Sequence, residues 1–214
     1  MNIQIYLIVM SVCFLGAIIY TCVFSRNAYK KFYSSQLKFD IGFNDMVESE
    51  DRLKDFLLNN NIDINGDVVQ SVAQKLEVEI GGISDVIKNN AELTIMDNKR
   101  IVILKTGLNE QEKLFCLAHE CAHLINGDPV PQTRPDRKDK DIIEQKADYL
   151  AAAMIMPRER VRKFLEEHNY QNASVSKKGK LIDQMCRDYN VTDVVVMRRI
   201  REVTKLEQRN QELI

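Results

Sequence analysis

The chain has 214 residues, 45% of them hydrophobic and 29% charged, which suits one medium domain with appendages or two small domains around a buried core. A net charge of −1 gives no global field toward nucleic acid or an acidic substrate, so nucleic acid is not an expected partner. The five cysteines (Cys13, Cys22, Cys116, Cys121 and Cys186) form no CxxC pair and no even framework, which favours a reducing compartment.

From Ile3 to Phe24 there is no charged side chain, a run of about 22 residues and about 33 Å as a helix, long enough to cross a hydrocarbon core. The run lacks the basic start and small-residue cleavage site of a signal peptide. Residues 1–25 therefore read as an uncleaved transmembrane anchor. Arg26, Lys30, Lys31 and Lys38 follow it directly. By the positive-inside rule the protein is then a single-pass protein of the inner or cell membrane, with its C-terminal bulk facing the cytoplasm. Residues 26–44 read as a juxtamembrane linker.

From Asp45 the pattern turns helical, with Met46, Val47, Leu53, Phe56 and Leu57 at three- and four-residue steps. The run NNNIDING breaks it, and Asn65 is a candidate cap for a second helix carrying Val68, Val69, Val72, Ala73 and Leu76. EIGGISD reads as a turn region. ELTIM and RIVILK, separated by DNK, read as a hairpin, the second run apolar enough to be buried on both faces. Asn109 with Glu112 three positions on forms a capping box for the next helix, which should end near Gly127. GDPVPQTRPDRKDK then holds three of the four prolines and reads as a polar loop. Helices follow at about Asp141–Met154, stopped by Pro157, at RERVRKFLEEH, and near 180–189 and 193–207.

Two of the three histidines sit together in LFCLAHECAHLING. Four residues of helix is about 400° of rotation and about 6 Å of rise, so His119 and His123 lie one turn apart on one face and can grip one Zn²⁺. Glu120, beside the first ligand, can reach a water at the metal without itself binding the ion. This is the HExxH arrangement of two ligands and a general base.

A catalytic zinc usually has three protein ligands. The longer HExxHxxGxxH form fails, because Asn126 and Pro129 occupy the glycine and third-histidine positions. His168 lies on a charged stretch and is the weaker candidate. Glu144, in EQKADYLAAAMIMP, is the better one: it would complete a His₂Glu set from the next helix. Asp148, one turn further along, could accept a hydrogen bond from the far nitrogen of His119 or His123 and fix the ring. Cys121 is most simply a small buried hydrophobe.

LAHECAHLI, then ExxAD, then MIMP, in that order, resembles the ImmA/IrrE family of zinc metallopeptidases over about Val68 to Pro157. The resemblance implies zinc bound by His119, His123 and Glu144, with Glu120 as catalytic base. Cys121 and Ala122 stand where the family often has Leu-Gly, and Leu150 replaces a usual phenylalanine. An N-terminal membrane span is not a usual feature of that family. The implied function is endopeptidase cleavage of a regulatory protein, typically a helix-turn-helix repressor of a mobile element or stress regulon.

The expected fold is α+β: a minimal, thermolysin-like zincin domain over residues 45–165 with a small antiparallel sheet, preceded by the anchor and followed by a helical tail at 166–214. RIVILK, if at the sheet edge, could hold an extended substrate. Tyr149, Tyr170 and Arg134 are oxyanion-donor candidates, none of them assigned. Two rival readings remain. In LIDQMCRDYNVTDVVVMRRIREV a helix, a turn at Asn190–Val191, a Thr192 cap and a second helix resemble a helix-turn-helix, with Arg198, Arg199 and Arg201 available to phosphate. Alternatively, the zinc site is structural and the protein sequesters a partner without cutting it.

Overall fold

A computed structural model describes residues 41–87, 89–128 and 140–212. The expected anchor, residues 26–40 of the linker and most of the loop after Gly127 lie outside these residues. Among the described residues no helix is long and apolar enough to cross a membrane. The described chain is α+β, with seven helices and one three-stranded sheet.

Helix α1, Phe43–Asn59, buries Met46, Ser49, Leu53 and Leu57, one face at helical spacing. It ends where Asn61 turns left-handed, with φ at 53°. Helix α2, Val68–Lys75, is capped by Asp67, whose side chain accepts the Gln70 N–H, and not by Asn65. Asn65 instead bonds to Asp63 inside the preceding turn.

The sheet departs from expectation in two ways. EIGGISD is not a turn: Val78–Ser84 form β1, which pairs in parallel with β3, Lys99–Lys105. Strand β2, Ala91–Met96, pairs antiparallel with β3, so the order is β1-β3-β2 and the sheet is mixed, not antiparallel. Strand β1 was hidden because it is an edge strand buried fully only at Val78, so no apolar alternation marks it. Its two glycines look like turn residues, but Gly81 serves close packing, whereas Gly82 faces open space. A Cβ on Gly81 would collide with the Ile101 side chain, and the register shifts between Ile80 and Gly82. RIVILK is therefore the central strand, paired on both sides, and cannot accept a substrate strand. The hairpin stands as read. Asp97 and Asn98 both have positive φ, 51° and 62°, as the two-residue turn that matches strand twist requires.

Helix α3, Glu110–Asn126, carries the expected capping box: Glu112 N–H donates to Asn109 Oδ1, and Asn109 N–H to Glu112 Oε2, each at 2.9 Å. Gly127 ends it in the left-handed conformation, φ 74°. Helix α4, Lys140–Ile155, packs along α3. The contact uses small residues: Ala118, Cys121 and Ala122 from α3, and Ala147 and Ala151 from α4, all fully buried. Small side chains let the two helix axes approach, so that polar side chains at their border can meet. Leu93, Val102 and Leu104 of the sheet complete this first core.

Helices α5, Arg158–Glu167, α6, Val175–Tyr189, and α7, Asp193–Glu212, enclose a second core of Met156, Val161, Leu165, Met185, Val191, Val196, Ile200 and Val203. Helix α6 begins a turn and a half earlier than expected, because Ser174 caps it by accepting the Lys177 N–H. Asn190, at φ 51°, ends it and turns the chain into α7.

Candidate metal centre

Helices α3 and α4 bring His119, His123 and Glu144 together, with one ligand atom from each lying within 4.8 Å of the others. The capping box and Gly127 set the two ends of α3, and the alanine contact sets the distance to α4. His119 Nε2 lies 3.0 Å from His123 Nε2 and 3.2 Å from Glu144 Oε2, which is 3.6 Å from His123 Nε2. Tetrahedral ligands at zinc distances lie about 3.3–3.4 Å from one another, so the three atoms are spaced as that ion requires.

Both rings are turned by carboxylates. His119 Nδ1 lies 2.8 Å from Asp148 Oδ1, and His123 Nδ1 lies 2.9 Å from Asp128 Oδ2. With each Nδ1–H donated to a carboxylate, both Nε2 lone pairs face each other and Glu144, an arrangement that calls for a cation. In the metal-free chain burial lowers the His119 pKa, but the bonds to Asp148 and Glu144 outweigh it and push it up to about 10. A metal ion binding there displaces that proton. Burial raises the Glu144 carboxyl, and the bonds from His119 and His123 outweigh it and hold the group well below the usual carboxylate range. Asp148 is likewise held down against its burial, by His119 and by Arg198.

Glu120 follows His119 on α3 and is 4% exposed, yet its Oε2 has no hydrogen-bond partner. A buried carboxylate oxygen without a partner costs free energy, and a water at a metal beside it is the group that fits. His123 is buried, whereas the Glu144 side chain is 34% exposed, so the cluster opens to solvent on the Glu144 side. Cys121 takes no part. Burial, then the Glu120 charge, push its thiol up to about 12, and an inert neutral thiol is the result.

His168 is elsewhere: its Nδ1 bonds the Phe164 carbonyl and its ring stacks on Phe164. Tyr149 is fully buried and donates to Glu50 Oε1 at 2.8 Å. Tyr170 packs on the second core, and Arg134 lies outside the described residues. Of the three arginines offered to phosphate, Arg199 is fully buried and bonds Met156 O and Glu50, Arg198 bonds Asp148 and Glu202, and only Arg201 is exposed. Sequence reasoning missed Asp128 and misplaced Arg198. The signal for Asp128 was there: a carboxylate directly after the glycine that turns the chain back over the last turn of α3.

An α+β fold that presents two helical histidines, a glutamate from the next helix and a buried carboxylate at their side defines a zinc metallopeptidase-like domain. The sequence profile of the IrrE N-terminal-like domain matches residues 73–201, more than half of the chain, and the protein belongs to that family. The family is zinc-dependent, and the His119, His123 and Glu144 cluster could bind such an ion. No curated protein matches the chain. Among solved structures it is similar to a Mycobacterium tuberculosis transcriptional regulator, at 15% identity and a TM-score of 0.46, over 77% of this chain and 47% of that one. The chain thus spans about half the length of that protein.

Proposed function

We propose that the protein is a zinc-dependent endopeptidase of the thermolysin-like, His₂Glu kind that cuts a regulatory protein, a helix-turn-helix repressor being the class in view. The observation that carries this reading is the orphaned, buried Oε2 of Glu120, a residue next to His119 in the helix and close enough for its charge to act on that ring, together with three converging ligand atoms. A binding module with a purely structural zinc would have no use for an unsatisfied carboxylate there, since structural zinc sites are closed by four protein ligands. His119, His123 and Glu144 would hold the ion, which when bound acidifies water and polarises a peptide carbonyl. Glu120 takes the proton from the attacking water and passes it to the leaving amine. Asp148 and Asp128 keep the two rings in the tautomer that presents Nε2.

An extended substrate needs a free strand edge, and the described sheet has two. Strand β2 is the better one, because it packs against α3, whereas β1 leans on α2. In this reading residues 45–165 are the peptidase domain and 166–214 a helical segment packed on it. Residues 1–25 anchor the chain in the cell membrane and 26–44 link them, so that cleavage takes place at the cytoplasmic surface. What supports the anchor is the uncharged run Ile3–Phe24 and the four basic residues behind it.

The test is Glu120→Gln in the full chain, co-expressed with a helix-turn-helix repressor. Zinc content should stay at the wild-type level while cleavage fragments disappear from the mass spectrum. Fragments that persist would remove Glu120 from its role. A wild-type chain that binds the repressor without producing fragments would favour sequestration.

A further inference from the structure

Helix α7 reaches into the metal centre through one side chain. Arg198 Nη1 donates to Asp148 Oδ2 at 2.8 Å, and the other oxygen of the same carboxylate holds His119 Nδ1 at 2.8 Å. Asp148 is thus gripped at both oxygens, by the histidine on one side and by an arginine 50 positions further along the chain on the other. The guanidinium is itself fixed. Its Nε donates to Glu202 Oε1 at 3.0 Å, and its Nη2 reaches the Gln145 carbonyl at 3.4 Å.

A carboxylate held at one oxygen is free to turn about its last torsion, which is broad and weakly restrained. Held at both, it fixes the plane in which it accepts from the imidazole. The Arg198 and Asp148 side chains are 25% and 34% exposed, so as a stabilising ion pair the contact is screened by solvent and worth little. Its value is geometric: the planar fork of arginine can hold Asp148, Glu202 and a main-chain carbonyl at once, which lysine cannot.

We propose that Arg198 is a positioning residue of the metal centre, holding Asp148 so that His119 presents Nε2 to the ion and making α7 part of the frame of the site. The proposal rests on His119 being a metal ligand. It follows that a partner displacing α7 also releases the carboxylate behind His119.

The experiment measures zinc affinity of the full chain by chelator competition in wild type, Arg198→Met, Asp148→Asn, the double variant and His119→Ala. Arg198→Met keeps the apolar stem and removes every donor. It should weaken zinc about tenfold, the lower end of what an outer partner of a metal-binding histidine is worth. In the Asp148→Asn background the same substitution should add less than about twofold, since its effect runs through that carboxylate. Wild-type affinity in Arg198→Met, or an equal loss in both backgrounds, overturns the proposal. If Arg198→Met does not fold, Arg198→Lys replaces it: a several-fold loss is expected, and wild-type affinity overturns the proposal. Should His119→Ala bind zinc as wild type does, the ligand assignment fails and this inference with it. Loss of zinc in His119→Ala alone, with Arg198→Met unaffected, sinks only the role of Arg198.

Discussion

The α3–α4 contact is made of alanine and cysteine, while the α5–α7 cluster is filled with methionine, valine, leucine and isoleucine. The first brings two helix backbones close and leaves polar side chains to meet at their border. The second fills its volume with apolar side chains and sends two arginines outward from α7, Arg198 to Asp148 and Arg199 to Glu50. Chemistry is placed by the tight, small-residue contact. The bulkier half braces it from behind, and the two depend on each other through a handful of charged side chains.

The sharpest way to break this comparison is at the metal. Glu144→Ala should reduce zinc in the purified chain from one equivalent to near none, measured by elemental analysis. Retained zinc would mean that another residue completes the set. Next in size is Arg199→Met. Arg199 is fully buried, bonds Met156 O and Glu50 Oε1, and packs over the Tyr149 ring. Removing it takes one partner from Glu50, which keeps Tyr149 and Arg158, and one from Glu202, which keeps Arg198. The loss should therefore fall at or below the low end of the range of about 3–5 kcal/mol that follows when a buried pair loses one partner outright. Urea denaturation of the metal-free variant should show that loss, while zinc affinity stays near the wild-type level because Arg199 bonds neither Asp148 nor Asp128, and Arg198 keeps its own bonds to Asp148 and Glu202. An equal fall in zinc affinity would mean that α7 braces the site as a whole and not through one side chain. Smaller again is Asp128→Asn, which leaves the His123 ring without its carboxylate and should weaken zinc about 10- to 100-fold by chelator competition. No change there would leave His119 as the only ring that needs orienting.

These residues also mark what the sequence made legible. HExxH and ExxAD stand out because ligand types recur at the helical period, and a metal needs those types at that spacing. The capping box and Gly127 were readable for a similar reason: each is a local rule satisfied within a few residues. Strand β1 was not, because what makes it a strand is a neighbour 21 or 22 residues away, and its Gly81 answers to Ile101, not to a turn. The rival reading of Arg198, Arg199 and Arg201 as available to phosphate failed in the same manner for the first two. An arginine on an amphipathic helix looks solvent-facing until a half-buried carboxylate from a distant helix is known to be there. Local order was visible, whereas long-range pairing of charges was not.

The smallest effect asks whether the two halves melt together. Asn109 caps α3 and Ser174 caps α6, each side chain accepting a main-chain N–H three residues on. Substituting either by alanine leaves one orphan donor at a helix start and costs about 1 kcal/mol. Asn109 lies about 15 Å along α3 from His119, so its loss should lower stability without moving zinc affinity. Because α7 is tied to α1 and α4 by Arg199 and Arg198, both halves should unfold in one transition, and Asn109→Ala and Ser174→Ala should each lower that single midpoint by a few degrees. Two separated transitions in the thermal scan, each sensitive to only one of the caps, would show that the charged ties are too weak to couple the halves. Helix α7 would then be an independent neighbour of the metal centre and not part of its frame.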